Sequence, residues 1–199
     1  MTPLTANAER LNRRIFVQEL MAGVPAALVV TGLGSSSYDV FAAGDRDTNF
    51  YLWGGMGGAV PVGLGLAIAQ PERSVVVVTG DGEMLMGLGS LASVGVQGPP
   101  NLTIVVLDNG HFGETGMQPS HTSLGASLSA IAVGSGITNS RQIDSYDGLP
   151  GLVDSINARR QTTFCQVLVE PDEPPRALPP RDGAYVKDRF RASLGLGSF

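Results

Sequence analysis

The feature that most constrains the fold is a run of β-branched residues from Ser74 to Thr79, with the sequence SVVVVT, followed at once by Gly-Asp-Gly. A strand with one face in water alternates apolar and polar residues, whereas the centre of this run is valine throughout. Comparable runs are Ala27–Val30, Asn49–Trp53, Asn101–Leu107 and Thr163–Glu170. Strands that are buried on both faces belong to parallel sheets covered by helices. The sequence therefore predicts an α/β fold with a doubly wound, mostly parallel sheet.

Helical segments are predicted between these strands. Residues 7–22 have apolar positions at helical spacing and are followed by Gly23 and Pro25, which end a helix. The segment from Gly80 to Val96 is predicted as a tight turn and one helix. Further short helices are predicted within 127–135 and 149–160.

Composition excludes several classes of protein. The 199 residues are 43% apolar and 16% charged, which suits one domain with a hydrophobic core. A net charge of −5 argues against a nucleic-acid partner. The single cysteine, Cys165, rules out an internal disulfide or a cysteine-ligated cluster, and its apolar neighbours predict a buried, inert thiol. No apolar run approaches the roughly 18 residues of a membrane span, and the N-terminus lacks a signal core, so a cytoplasmic protein without membrane contact is expected.

Two regions are expected. Residues 1–170 form the ligand-binding domain, and residues 171–199 form a Pro-rich, charged C-terminal tail that is extended, with one short helix at its end. The tail arginines alternate with acidic residues, which favours a solvated or subunit-wrapping role.

Glycine is abundant, 27 of 199 residues, and clusters where the predicted strands end. The segments Gly32–Ser37, Gly54–Gly58 and Gly80–Glu83 follow three strands, and the loop that begins DNGHFGETG follows a fourth. The carboxyl ends of parallel strands share one edge of the sheet, where ligands bind. The four segments are therefore expected to form one ligand site.

Asp81 and Asn109 are the candidate metal ligands at this edge. Asp81 lies between a buried strand and a helix, where glycines permit close backbone approach and the helix start offers unpaired N–H groups. Asn109 follows the next strand, so one crossover separates the two side chains, and their oxygens can converge on Mg²⁺. The alternatives are an ordinary Asp-Gly turn with Asp81 as a helix cap, and a loop asparagine.

The pattern of GDG, a helix, an apolar strand and then Asn resembles the motif of thiamin diphosphate-dependent enzymes. The segment GGMGGAVPVGLGLAIAQPE is similar to the glycine turn and helix that precede this motif in the decarboxylases of that family. VVTGLGSSSYDVF and DNGHFGETGMQPSHT resemble the sulfopyruvate and phosphonopyruvate decarboxylase branch. The resemblance covers about residues 25–170 and implies the diphosphate-type domain of the thiamin diphosphate-binding fold.

The resemblance also implies roles for individual residues. Mg²⁺ would be bound by the side chains of Asp81 and Asn109 and the backbone carbonyl of His111. The thiamin diphosphate would be held by Thr31, Gly54, Met56, Gly80, Asp81, Gly82, Glu83, Asn109 and His111. Within that set, the amides of Gly82 and Glu83 would meet the diphosphate, and the Gly54 carbonyl would accept from the aminopyrimidine. Met56 would keep the cofactor bent, although it could instead fill the core.

Three loop residues are candidates for catalysis: His111, Glu114 and His121, each of which could equally be solvated. Arg46 and Arg141 are candidates for binding an anionic substrate group. Two positions depart from the family pattern. Asp108 stands where the family usually has Asn, and Ser120 stands where related chains have Thr.

The resemblance implies the β subunit of a thiamin diphosphate- and Mg²⁺-dependent 2-oxo acid decarboxylase, which releases CO₂ and an aldehyde. The sequence contains no second glycine-edged α/β unit, and Glu9 and Glu19 on the first helix are poor candidates for the activating glutamate. An α subunit with the aminopyrimidine-binding domain is therefore expected, in an α₂β₂ or larger assembly. The alternatives are a carboligase of acyloin or acetolactate type with the same cofactor, and a non-catalytic nucleotide-binding module.

Overall fold

The computed structural model describes residues 10–197, and a parallel sheet of six strands lies at its centre. The strands are β1 (Leu28–Thr31), β2 (Asn49–Tyr51), β3 (Val75–Gly80), β4 (Leu102–Asp108), β7 (Asn139–Ile143) and β8 (Thr163–Leu168). Their order is β2-β1-β3-β4-β8-β7, with every neighbouring pair parallel. Two further strands, β5 (His111–Phe112) and β6 (Gln118–Pro119), form a small antiparallel hairpin. The predicted α/β fold with a parallel sheet is confirmed.

Helices cover both faces of the sheet. The helices are α1 (Arg13–Gly23), α2 (Ser35–Ala42), α3 (Ala59–Ala69), α4 (Asp81–Met86), α5 (Ser90–Gln97), α6 (Leu128–Gly134), α7 (Gly148–Ala158) and α8 (Gly183–Ser193). Successive strand residues feed two cores, because Val76 and Val78 pack with α1, α2 and α7. Val75 and Val77 pack with the remaining helices on the opposite face. This double burial explains the uninterrupted valines.

The strand order reverses beside β1, and this reversal positions the ligand site. Strand β1 pairs with β2 on one side and β3 on the other, so that Val30 lies opposite both Phe50 and Val77. Ligands of doubly wound sheets bind where the strand order reverses, at the carboxyl ends of the strands. The loops after β1, β2, β3 and β4 meet at that edge.

The first helix begins later than the sequence predicts. Residues 7–9 of the prediction lie outside the described residues, and residues 10–12 are not helical. Asn12 caps the helix by accepting a hydrogen bond from the Ile15 amide at 3.1 Å. Leu11 instead forms a parallel bridge with Val169, so tertiary pairing overrides the helical spacing here.

The single helix predicted after Gly80 is wrong, because the structure has two helices, α4 and α5, with a break at Gly87–Gly89. A Cβ at Gly87 would lie 2.3 Å from the Gly57 carbonyl oxygen. The break therefore lets the glycine-rich segment after β2 approach the helix directly.

Strand β7 was not predicted. Its sequence, NSRQI, is mostly polar because β7 is the edge strand and pairs only with β8. The Asn139 amide donates to the Thr163 hydroxyl at 2.7 Å, so polar side chains support the pairing.

The C-terminal helix α8 packs on the sheet. Phe190 is buried, with its ring edge-on to Phe50 at 5.5 Å between centroids. Residues 171–182 carry no helix or strand, and the Trp53 indole donates to the Pro180 carbonyl at 2.8 Å. No helix within residues 10–197 combines the length and hydropathy of a membrane span.

Candidate functional site

A cavity opens where the glycine-rich segments meet. It is lined by Leu33 after β1, Met56 after β2, Asp81 after β3 and Asn109 after β4. The four segments expected to form one site therefore do meet at the carboxyl edge of the sheet.

Most of the residues predicted for the site line this cavity, while four do not. Those in the lining are Met56, Asp81, Gly82, Glu83, Asn109, His111 and Glu114. Those outside the lining are Thr31, Gly54, Gly80 and His121. Thr31 is buried behind the site, with its hydroxyl 2.6 Å from that of Ser37. The His121 ring contacts Phe112 edge-on at 6.2 Å.

Asp81 is the most deeply buried acid of the cavity. Its carboxylate accepts a hydrogen bond from the Ser120 hydroxyl, and the Thr122 hydroxyl lies 3.2 Å away. Burial raises the pKa of Asp81 to about 6, and repulsion from Asp108 adds to the rise, while the two hydroxyls lower it. Within residues 10–197, Asp81 is thus a carboxylate whose charge lacks a cationic partner.

Asp108, the departure from the family pattern, is fully hydrogen-bonded. Its carboxylate accepts from the Gly110 amide at 2.9 Å, the Thr122 hydroxyl at 2.7 Å and the Gln166 side-chain amide at 2.6 Å. Gln166 is itself oriented, because its oxygen accepts from the Ser129 amide at 2.9 Å. An amide at position 108 would turn a donor toward one of these donors. Gln166 therefore fits an acid at this position.

Asn109 both shapes the loop and lines the cavity. Its side-chain oxygen accepts from the His111 amide at 2.9 Å, and the His111 Nδ1 lies 2.9 Å from the Asn109 carbonyl. This Asx turn is the loop role that the sequence left open. An amide oxygen has two lone pairs, so the turn leaves one for a cation.

The Glu83 side chain ties three glycine-rich segments together. It is 7% exposed, and one oxygen accepts from the Leu33 amide at 2.9 Å. Burial raises the pKa of Glu83, while the Thr79 hydroxyl and the amides of Leu33, Ala59 and Gly57 lower it. Its other oxygen, Oε1, is buried without a well-aligned hydrogen bond in the described part of the chain. Sequence reasoning used only the backbone of this residue.

Met56 lies at the cavity surface and not in the core. It is 45% exposed, so the alternative of a core filler is wrong. Gly54 and Gly57 on either side have φ of +75° and +82°, values that favour glycine. These turns present the methionine to the cavity.

The two arginines predicted to bind an anionic substrate group lie away from the cavity. Arg46 donates to the Val24 carbonyl at 3.2 Å, and Arg141 donates to the Ser155 hydroxyl at 2.7 Å. Neither lines the cavity, whereas Arg13, at the start of α1, does. Glu114 pairs with Arg176 of the C-terminal segment at 3.6 Å. No cluster of three or more His, Cys, Asp or Glu side chains suited to a metal occurs among residues 10–197.

The family model of the thiamine pyrophosphate enzyme C-terminal TPP binding domain matches residues 34–166. The chain belongs to this family. Sulfopyruvate decarboxylase of Methanosarcina acetivorans is 32% identical over 172 residues, covering 86% of this chain and 44% of the relative. Phosphonopyruvate decarboxylase of Streptomyces viridochromogenes is 38% identical over 192 residues, covering 94% and 47%. The chain thus spans about half the length of these two relatives.

A shorter relative is covered almost completely. The sulfopyruvate decarboxylase subunit beta of Methanothermobacter thermautotrophicus is 35% identical over 178 residues, covering 89% of this chain and 92% of the relative. A solved structure of a thiamin diphosphate-dependent enzyme from Mycobacterium smegmatis superposes with a TM-score of 0.69 at 25% identity, over 82% of this chain and 32% of that one. The family predicted from the motifs is confirmed, and neither alternative function is favoured.

Proposed function

We propose that this chain is the diphosphate-binding subunit of a thiamin diphosphate- and Mg²⁺-dependent 2-oxo acid decarboxylase, which releases CO₂ and an aldehyde. The observation that carries the proposal is that Asp81 and Asn109, from neighbouring strand ends, line one cavity with Met56. The names of three relatives, which are sulfopyruvate and phosphonopyruvate decarboxylases, support the reaction class.

The oxygen donors of the cavity fit Mg²⁺. The charge of Asp81 is penalised by burial and by Asp108, and a cation would relieve both effects. Asn109 offers an amide oxygen, and the Asx turn fixes the backbone at His111, whose carbonyl is the third proposed ligand. Mg²⁺ prefers oxygen ligands and commonly bridges protein to a bound phosphate.

The start of α4 fits a diphosphate. Gly82 and Glu83 line the cavity at the first turn of α4, where backbone amides lack helical partners. Ser35 and Ser36, at the start of α2, line the same cavity and add hydroxyl and amide donors. Two helix starts therefore face one cavity from neighbouring strands.

Thiamin diphosphate, when bound, supplies the electron sink for loss of the substrate carboxylate. The chain would bind and orient the cofactor and exclude water from it. Leu33, Met56 and Met86 belong to the apolar part of the lining. His111 and Glu114 line the cavity and are the proposed proton-transfer groups, whereas His121 would need the loop to move before it could contribute.

We further propose a partner α subunit that carries the aminopyrimidine-binding domain, in a cytoplasmic α₂β₂ or larger assembly. Similarity over 92% of a relative named subunit beta supports this arrangement. Met56 and Met86 are 45% and 62% exposed at the cavity, an apolar surface that a partner would cover.

The proposal is tested by Asp81→Ala in the complex with its partner. We expect the affinity for thiamin diphosphate with Mg²⁺ to fall at least tenfold, as measured by calorimetry, and release of CO₂ from sulfopyruvate, phosphonopyruvate or pyruvate to be lost. Asp144→Ala, an exposed acid outside the cavity, is the matched control. Unchanged cofactor affinity in Asp81→Ala would contradict the assignment.

A further inference from the structure

Arg13 is a buried cation at the ligand cavity for which the proposed function has no role. It is 5% exposed and opens helix α1. The bridge between Leu11 and Val169 places the start of α1 beside the carboxyl end of β8. Val169 and Arg13 both line the cavity that holds Asp81 and Asn109.

The guanidinium of Arg13 lies near two carboxylates. Its Nε lies 3.5 Å from Asp39 and 3.3 Å from Asp172, without an aligned hydrogen bond to either carboxylate. No residue within 10–197 accepts a hydrogen bond from its terminal nitrogens. Only its Nε belongs to the buried, unpaired atoms of the described residues, so the terminal nitrogens keep donors that a ligand in the cavity can accept.

The neighbouring Arg14, in contrast, has its hydrogen bonds satisfied within the protein. It donates to Asp39 at 2.8 Å and to the Pro175 carbonyl at 3.1 Å, and its side chain is 25% exposed. Arg14 does not line the cavity. Both arginines contact Asp39, but only Arg13 faces the candidate site.

An oxyanion is the ligand that suits Arg13. The guanidinium is planar, permanently charged and matches the spacing of two phosphate oxygens. Asp81, Glu83 and Glu114 make the lining acidic, and within the described residues Arg13 is the one lysine or arginine that lines it. A guanidinium here would offset negative charge that a metal leaves on a bound diphosphate.

The two ends of the cavity indicate which part of the cofactor Arg13 would meet. Met56 follows β2, at one edge of the sheet, and the proposed function places the thiamin end of the cofactor there. Leu11, two residues before Arg13, pairs with Val169 after β8, which lies beyond β4 and Asn109 in the strand order. We infer that Arg13 binds the terminal phosphate of thiamin diphosphate, an inference that rests on the proposed function.

The test compares thiamin diphosphate with thiamin monophosphate, both with Mg²⁺, by calorimetry on the full chain together with its partner. For Arg13→Gln we expect the affinity for the diphosphate to fall about 10- to 100-fold, the range for a lost charged hydrogen bond, with the affinity for the monophosphate unchanged. Arg14→Gln is the matched control and should leave the preference between the two ligands as it is. General damage to the fold would weaken both ligands together.

Three outcomes overturn the inference. If Arg13→Gln keeps the wild-type preference for the diphosphate, Arg13 does not bind the terminal phosphate, while the proposed function stands. If the wild-type protein binds neither ligand, both proposals fail. If Arg13→Gln does not fold, Arg13→Lys decides, because lysine keeps the charge without the planar fork. A reduced preference for the diphosphate then supports the inference, and an unchanged preference overturns it.

Discussion

Two substitutions of Glu83 distinguish the contribution of its packing and hydrogen bond to stability from the contribution of its charge. Glu83→Ala leaves the buried Leu33 amide without its acceptor at 2.9 Å, which costs about 1–3 kcal/mol. It also empties space against Gly32, where a Cβ would lie 1.6 Å from the carboxylate, and this adds a cavity cost of about 1–2 kcal/mol. We therefore expect Glu83→Ala to lower the free energy of unfolding by about 2–5 kcal/mol.

Glu83→Gln keeps the shape and one acceptor oxygen for the Leu33 amide, removes the charge and replaces the second oxygen by an NH2 group. Because burial raises the pKa of Glu83 in the folded protein, the folded state holds its proton to a higher pH than the unfolded state does. The wild-type protein therefore loses stability as the pH rises from the unfolded pKa through the folded pKa. Glu83→Gln should remove that pH-dependent loss and should be more stable than Glu83→Ala, because it keeps the acceptor for the Leu33 amide.

The measurement is urea unfolding of the three proteins between pH 4 and pH 8, with Glu72→Ala, an exposed acid, as the control. The reasoning is refuted if Glu83→Ala and Glu83→Gln are equally stable. The hydrogen bond to the Leu33 amide and the packing against Gly32 would then contribute nothing to stability. A double variant adds a second check. Gly32→Ala should be better tolerated in Glu83→Ala than in the wild type, because the clash is with the side chain that has been removed.

Three further predictions concern the neighbouring acids and glycine. Metal affinity should fall as the pH drops through about 6, where the unliganded Asp81 takes up its proton, and Mg²⁺ titrations at several pH values would check this midpoint. Asp108→Asn should shift the midpoint downward, because it removes the repulsion that raises the pKa of Asp81, and an unmoved midpoint would contradict that cause. Gly32→Ala in the wild-type background should destabilise the fold by about 1–3 kcal/mol in urea unfolding, and full stability would mean that Glu83 can move aside.

Where the sequence correctly predicts which residues meet at one edge of the sheet, the prediction depends on their position directly after a strand. Asp81 and Asn109 each follow a buried strand, and the parallel pairing of Gly80 with Leu107 places those strand ends side by side. The hydrophobic pattern of the strands and the glycines that follow them suffice for such a prediction, because they show which end of a strand a residue occupies. The fold class follows from the same pattern, since uninterrupted valines require two covered faces.

Where prediction fails, the cause is contact between distant segments. Strand β7 is polar because it lies at the sheet edge, and the break before α5 depends on the approach of Gly57 to Gly87. Arg13 carries no local signal, because its position at the cavity follows from the bridge between Leu11 and Val169. Helical spacing in the sequence assigns Leu11 to the first helix instead.

Position 108, where this chain has Asp and the family usually has Asn, illustrates how such distant contacts accommodate a change near the site. An additional buried carboxylate beside Asp81 would repel it, and the structure meets that charge with donors from Gly110, Thr122 and Gln166. The Thr122 hydroxyl has one proton and lies nearer to Asp108, at 2.7 Å, than to Asp81, at 3.2 Å. Ser120 is then the hydroxyl that serves Asp81. The two departures from the family pattern thus belong to one hydrogen-bond network, which leaves Asp81 with more negative charge around it and a correspondingly greater demand for a cation.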